Sequence, residues 1–88
     1  MSRQKEELYG KNNRWAKKKN MVGENVRKLR IQRGMSQQAL SEKLETLAVY
    51  ICRGSISRIE DNQRSITDIE LYGLAKVLNV SIEDLFKT

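Results

Sequence analysis

The sequence contains no histidine and a single cysteine, Cys52, among its 88 residues. These absences exclude an intramolecular disulfide, a zinc site built from cysteine and histidine, and any catalytic triad or general base that uses imidazole. Carboxylates alone can support acid/base or magnesium chemistry, but the acidic residues fall mostly at helix-surface spacings and no glycine-rich phosphate-binding loop accompanies them. We therefore expect a protein that is not an enzyme and that holds neither a metal nor another cofactor.

Proline is also absent, aromatic residues make up 6% of the chain, and the longest apolar run covers only residues 47–52. A helix that crosses a bilayer needs about 20 apolar residues, and no apolar segment follows the basic N-terminus as it does in a signal peptide. A chain of this length with 32% charged residues is typical of one small soluble domain. We expect that domain to lie in the cytoplasm.

Positive charge is concentrated near the N-terminus. Residues 1–21 contain seven basic and two acidic residues and so carry +5 of the formal net charge of +6. We predict a basic, flexible N-terminal arm over residues 1–21 and a nearly neutral domain over residues 22–88. Such an arm suits a polyanion, because cations that neutralise phosphates release condensed counterions; a solvated leader without a partner is the alternative.

The candidate cations of the arm are Arg14, Lys17, Lys18 and Lys19. Trp15 lies among them and packs either on the domain or on a partner. A basic stretch with one tryptophan can also touch an anionic membrane surface, but the arm lacks a sustained amphipathic face, so we expect no membrane contact.

Apolar residues recur at helical spacing from residue 22 onward. Gly34 is placed to end the first helix in a left-handed conformation, and Ser36 to cap the second. The third helix is short and ends near Asn62. The predicted inward-facing residues of these three helices are Val22, Val26, Leu29, Leu40, Leu44, Ile56 and Ile59.

Capping patterns mark two further helices. Thr67 with Glu70 forms a capping box, Asn79 stops that fourth helix, and Ser81 with Asp84 repeats the cap for a fifth. Their predicted buried residues are Leu71, Leu74, Ala75, Leu78, Ile82, Leu85 and Phe86. Because no segment alternates as a strand does, the sequence predicts a compact all-α domain of five helices.

Three segments in register carry a family resemblance: GMSQQAL at residues 34–40, SISRIE at 55–60 and LAKVLNV at 74–80. Together they resemble the lambda-repressor-like, Xre/Cro-type helix-turn-helix family over residues 22–86. The resemblance implies that helices two and three form the helix-turn-helix, with the second helix of the pair in the major groove of double-stranded DNA. It further implies that the protein is a transcriptional regulator, namely a repressor that acts on an inverted-repeat operator. It also implies that the protein is a homodimer at least on DNA.

The resemblance also assigns site residues. It implies base contacts by Arg53, Gly54, Ser55 and Arg58. An arginine fork can bond both O6 and N7 of guanine, and Gly54 permits close approach to the duplex. Phosphate contacts are implied for Gln37, Asn62, Gln63 and Arg64. A structural salt bridge between Arg30 and Glu60 is implied to orient the third helix.

Two features depart from the family pattern. Ser41 replaces a small alanine, and Glu45 begins a link to the third helix that is about five residues longer than the usual turn. Either helix two continues for another turn and the chain doubles back, or the link packs over the core. The apolar insert, residues 46–51, favours an alternative function. In that alternative the protein is an interaction module that binds a protein partner, as an antitoxin does.

Cys52 stands at the end of this link, next to Arg53. A thiol beside DNA can serve as a redox sensor, but a single cysteine without a neighbouring histidine is more often an inert small apolar residue. The sequence leaves both interpretations open.

Overall fold

The computed structural model describes residues 15–87, which form five helices and no strand. The helices are α1 (Gly23–Gln32), α2 (Gln37–Glu45), α3 (Arg53–Glu60), α4 (Asp68–Leu78) and α5 (Ile82–Leu85). The all-α architecture predicted from the sequence is confirmed. None of the helices in this part of the chain is long and apolar enough to cross a membrane.

Local signals set the helix ends. The Ser36 side chain accepts a hydrogen bond from the backbone N–H of Ala39 at 2.9 Å, and both capping boxes are present, at Thr67 with α4 and at Ser81 with α5. Gly34 and Asn79 adopt left-handed conformations at φ 68° and 58°. These contacts satisfy backbone groups that a helix end leaves without a partner, so the predicted boundaries hold.

The core is formed by one cluster of twelve buried apolar residues contributed by all five helices and the α2–α3 link. Its members are Val22, Val26, Leu40, Leu44, Val49, Ile51, Ile56, Ile59, Leu74, Ala75, Leu78 and Leu85. The prediction that Ile82 and Phe86 close this core is wrong, because both are exposed. With only four residues, α5 turns a single large side chain, Leu85, fully inward.

Gly23 allows α1 and α3 to approach closely. A Cβ atom at this position would lie 2.0 Å from the backbone oxygen of Ile59. No side chain fits at that distance, so the glycine sets the separation between the start of α1 and the end of α3.

The link between α2 and α3 packs over the core. After a turn at residues 46–48, in which Ala48 is left-handed at φ 61°, Val49 and Ile51 are buried. The Ser41 hydroxyl donates to the Ile51 backbone oxygen at 2.7 Å, and the Val49 side chain lies against Gly73 of α4. Of the two arrangements expected for this link, the structure shows the second.

Candidate nucleic-acid interface

The outer face of α3 carries the residues expected to contact bases. Arg53, Gly54 and Arg58 are exposed and Ser55 is half-buried, whereas Ile56 and Ile59 are buried and fix the helix to the core. The helix begins at Arg53, directly after Cys52 at the end of the α2–α3 link. Both arginine side chains therefore point into solvent from a helix whose opposite face is anchored.

Within this face, the Arg58 guanidinium donates a long hydrogen bond of 3.3 Å to the Ser55 hydroxyl. A contact of this length is weak, so a stronger acceptor displaces it at little cost. Gly54 has open space around it, since an added Cβ would meet nothing within 4 Å. The fold does not require glycine here, and the backbone of α3 is uncovered between Arg53 and Ser55.

A buried polar cluster ties three helices together behind this face. Arg30 of α1 donates to the Glu60 carboxylate of α3 from Nε at 2.6 Å and from a terminal nitrogen at 3.0 Å. Gln37 at the start of α2 donates to the same carboxylate at 3.0 Å. The hydrogen bond with Glu60 raises the pKa of Arg30. The three hydrogen bonds to the Glu60 carboxylate fix α1, α2 and α3 in relation to one another.

The side chain of Gln37, which is expected to contact a phosphate, is partly engaged within the domain. Its side-chain amide nitrogen has two hydrogens, and one is committed to Glu60. The residue is half-buried. Only the second hydrogen is left to reach a phosphate.

In the loop after α3, two of the three residues expected to contact phosphates are engaged within the domain. Asn62 is only 6% exposed, and its amide donates to the backbone and side-chain oxygens of Asn20 at 3.2 and 3.1 Å. Its side-chain amide is therefore occupied within the domain, and the expected phosphate contact of Asn62 is not supported. Arg64 places both ends of its guanidinium on Glu70 at 2.9 Å, so its charge is neutralised within the domain and the expected phosphate contact is not supported. Gln63 is exposed as expected.

The ion pair of Arg64 also changes the chemistry of its partner. The hydrogen bond from Arg64 lowers the pKa of Glu70, and the Thr67 backbone N–H that Glu70 accepts in the capping box acts in the same direction. The lowered pKa favours the charged carboxylate, whose bonds to Arg64 join the loop to the start of α4.

The last residues of the expected arm are bonded to the domain. Lys19 donates its backbone N–H to the Asn62 oxygen at 3.0 Å, and Asn20 bonds to both α1 and the end of α3. Lys18 pairs with Glu24 at 2.7 Å and lies over the Trp15 ring at 5.3 Å, whereas the side chains of Lys17 and Lys19 are exposed. Arg14 lies outside the described residues.

Sequence reasoning missed Asn20, whose side chain forms hydrogen bonds with Val22, Gly23, Ile59, Asn62 and Arg64. An asparagine just ahead of an apolar-periodic segment is a helix-start signal, and the side-chain oxygen of Asn20 accepts from the N–H groups of Val22, just before α1, and of Gly23, its first residue. That signal was available, but its bonds to residues about 40 positions away were not.

The α2–α3 link forms a shallow depression of about 390 Å³ beside the start of α3. It is lined by Ser41, Glu45, Tyr50, Ile51, Cys52 and Ser55. Cys52 is exposed, and a hydrogen bond with Ser55 lowers the pKa of its thiol.

The α2–α3 link exposes less apolar surface to a protein partner than the sequence of residues 46–51 predicts. Val49 and Ile51 are buried, which leaves Leu47 and the 73% exposed Tyr50 as its large apolar contacts. No group of three or more Cys, Asp or Glu side chains within residues 15–87 is arranged to hold a metal.

A sequence model of the helix-turn-helix family matches residues 26–85 of the chain. The fold is similar to that of the restriction-modification controller protein C.AhdI from Aeromonas hydrophila, with a TM-score of 0.65 and 26% identity over 74% of this chain and 87% of that one. It is also similar to SinR, the master regulator for biofilm formation, in complex with DNA, with a TM-score of 0.66 and 26% identity over 76% of this chain and 100% of that one. No curated protein sequence matches the chain.

Proposed function

The chain belongs to the lambda-repressor-like, Xre/Cro-type helix-turn-helix family of DNA-binding transcriptional regulators, and from this premise we propose that it is a repressor that reads an inverted-repeat operator with α3. In this proposal Arg53 and Arg58 contact base edges, Gly54 allows the backbone to approach the duplex, and Ser55 contacts a base or a phosphate. The protein acts in the cytoplasm and performs no catalysis.

One observation carries the proposal: both guanidinium groups of α3 are exposed while the acidic residue of the same helix, Glu60, is buried and neutralised by Arg30. An exposed carboxylate at Glu60 would repel phosphate. With that charge compensated, α3 presents two cations, Arg53 at its first residue and Arg58 in its last turn. A bidentate contact from arginine to guanine discriminates against a wrong base by about 1–3 kcal/mol.

Phosphate contacts are proposed for Gln37 and Gln63 rather than for the whole set expected from sequence. Gln37 keeps one free amide hydrogen at the positive end of α2, where an anion is favoured. Gln63 is exposed on the loop after α3. These contacts orient the domain and carry no sequence information themselves.

The inverted-repeat operator follows from size. The eight residues of α3 span roughly 12 Å, so one domain covers about half a turn of the major groove. Two copies related by a two-fold axis double the contacts, and their half-sites lie about 34 Å apart on one face of the duplex. We therefore propose that the protein is a homodimer at least on DNA.

Duplex binding across a salt series tests the proposal. The logarithm of the affinity should fall steeply and linearly with the logarithm of the salt concentration, because phosphate contacts release counterions. Arg58→Ala should also weaken preference for the bound sequence, whereas Lys76→Ala, which removes the same charge from an exposed site on α4, should leave that preference unchanged. Equal effects of the two variants would contradict the assignment of α3.

The second candidate, a protein-interaction module, is favoured by the exposure of Leu47 and Tyr50 on the α2–α3 link. Exposed aromatic side chains are frequent anchors of protein interfaces. A duplex affinity that is weak and independent of salt would support this candidate and overturn the DNA-reading role.

A further inference from the structure

We infer that Asn20 anchors a phosphate-binding segment, residues 17–20, in which Lys17 and Lys19 contact the DNA backbone beside the end of α3 and Lys18 does not. The inference rests on the proposed DNA-reading role of α3. It assigns a positioning role to Asn20 and separates three neighbouring lysines by function.

The anchor is the hydrogen bonding of Asn20. Its side-chain oxygen accepts from the backbone N–H groups of Val22 and Gly23 at 3.0 and 2.7 Å, which bonds it to the turn that leads into α1. Its side-chain nitrogen donates to the backbone oxygens of Ile59 and Arg64 at 3.0 and 2.9 Å. One amide thus bonds the start of α1, the end of α3 and the loop that follows α3.

Asn62 completes the attachment from the other side. Its left-handed conformation, at φ 60°, directs its amide toward Asn20, to which it donates two hydrogen bonds. Its backbone oxygen accepts from the N–H of Lys19 at 3.0 Å. The domain thus holds the segment at the backbone of Lys19, at the side chain of Asn20 and, through Glu24, at the side chain of Lys18.

The charges at this end of α3 explain why the lysines are needed. The loop contributes an exposed carboxylate at Asp61, and the charge of Arg64 is cancelled by Glu70. The carbonyl end of α3 adds partial negative charge. Arg58, in the last turn of α3, is directed to the bases in the proposed function. The phosphates beside this end are therefore left to the exposed side chains of Lys17 and Lys19.

Lys18 differs because its ammonium group is already occupied. It pairs with Glu24 at 2.7 Å and lies over the Trp15 ring. A neutralised lysine releases few counterions when DNA binds, so Lys18 should contribute little to the salt dependence of binding.

The location fits the dimensions of DNA. The length of α3, roughly 12 Å, is close to the width of the major groove, about 12 Å. When Arg53 and Arg58 read base edges, the C-terminal end of α3 therefore lies near the phosphates at the groove wall. Lys19 and Asn20 are bonded to that end and to the loop that follows it.

Single alanine variants of the three lysines test the inference in the full chain, by measuring the affinity for one duplex at several salt concentrations. Lys17→Ala and Lys19→Ala should each lower the magnitude of the slope by about 1, since one phosphate contact contributes about 0.9. Lys18→Ala, the matched control from the same segment, should change the slope by less than half of that. Equal slopes for all three variants, or no change for Lys17 and Lys19, would overturn the inference.

Asn20→Ala provides the second arm, because it changes no charge. We expect it to lower both the affinity and the salt slope by releasing the lysines, and an unchanged slope in a folded protein would overturn the positioning role. If circular dichroism shows that this variant unfolds, the three lysine variants decide. If the wild-type chain itself shows no salt-dependent binding, the proposed function is refuted. Failure of the proposed function can therefore be distinguished from failure of this inference.

Discussion

Removal of the Glu60 carboxylate should destabilise the domain more than removal of any other acidic side chain among residues 15–87. Glu60 has a side-chain exposure of 2%, and its partner Arg30 one of 10%. The carboxylate accepts two hydrogen bonds from Arg30 and one from Gln37. Glu60→Ala leaves a guanidinium in the interior with one remaining bond, to the Met35 backbone oxygen.

The magnitude follows from that burial. Breaking a buried ion pair by removing one partner costs about 3–5 kcal/mol, out of a total stability of about 5–15 kcal/mol for a domain. One kcal/mol shifts the Tm of a domain of this size by about 4–8 °C, so Glu60→Ala should lower the Tm by at least about 12 °C. Urea unfolding monitored by circular dichroism gives the free energy directly.

Two controls make this prediction specific. Glu24→Ala breaks the exposed pair with Lys18 and should cost far less, because exposed ions gain little from pairing. The double variant Arg30→Met with Glu60→Leu replaces the pair with apolar side chains and should recover much of the lost stability. If Glu60→Ala unfolds at the same urea concentration as Glu24→Ala, the stabilising role assigned to the buried cluster is incorrect.

Three further predictions concern single positions. Gly23→Ala should lower the Tm by several degrees, because its Cβ would lie 2.0 Å from the Ile59 oxygen; a Tm equal to that of the wild type would contradict the close approach of α1 and α3. Gly54→Ala meets no neighbouring atom, so it should raise the free energy of unfolding by about 0.5–1 kcal/mol through helix propensity while weakening duplex binding, and unweakened binding would refute close approach of the α3 backbone to DNA. Because Arg64 lowers the pKa of Glu70, this carboxylate stabilises the fold above its ordinary pKa of about 4.3 and loses that contribution as the pH falls through its lowered value. Urea unfolding of Glu70→Gln should therefore show a shallower loss of stability in acid than the wild type, and parallel curves would contradict the assignment.

The features that could be predicted from sequence are those set by neighbouring residues. Ser36, and the capping boxes at Thr67 and Ser81, make bonds within three positions along the chain, so residue type and spacing suffice to place them. The outward orientation of Arg53 and Arg58 follows in the same way from the burial of Ile56 and Ile59 at helical spacing.

The features that could not be predicted depend on distant contacts. Asn62 looks like a polar loop residue until its bonds to Asn20, 42 positions away, show why it is buried. Arg64 is paired with Glu70, so its charge is not available to a phosphate. The sequence gives Glu70 a role in the capping box with Thr67 and no sign of this second partner. The sequence predicts a flexible arm that extends to residue 21, but the bonds of Asn20 and Lys19 attach residues 19–20 to the domain.

Selection of bound duplexes from a random pool, carried out in parallel with the wild type, Arg53→Ala and Arg58→Ala, tests the reading role of α3 most directly. The account predicts that the wild type selects a defined sequence arranged as two inverted half-sites, and that each variant loses preference at one position of each half-site while keeping the rest. Identical selected sequences for all three proteins, or no enrichment by the wild type, would contradict it.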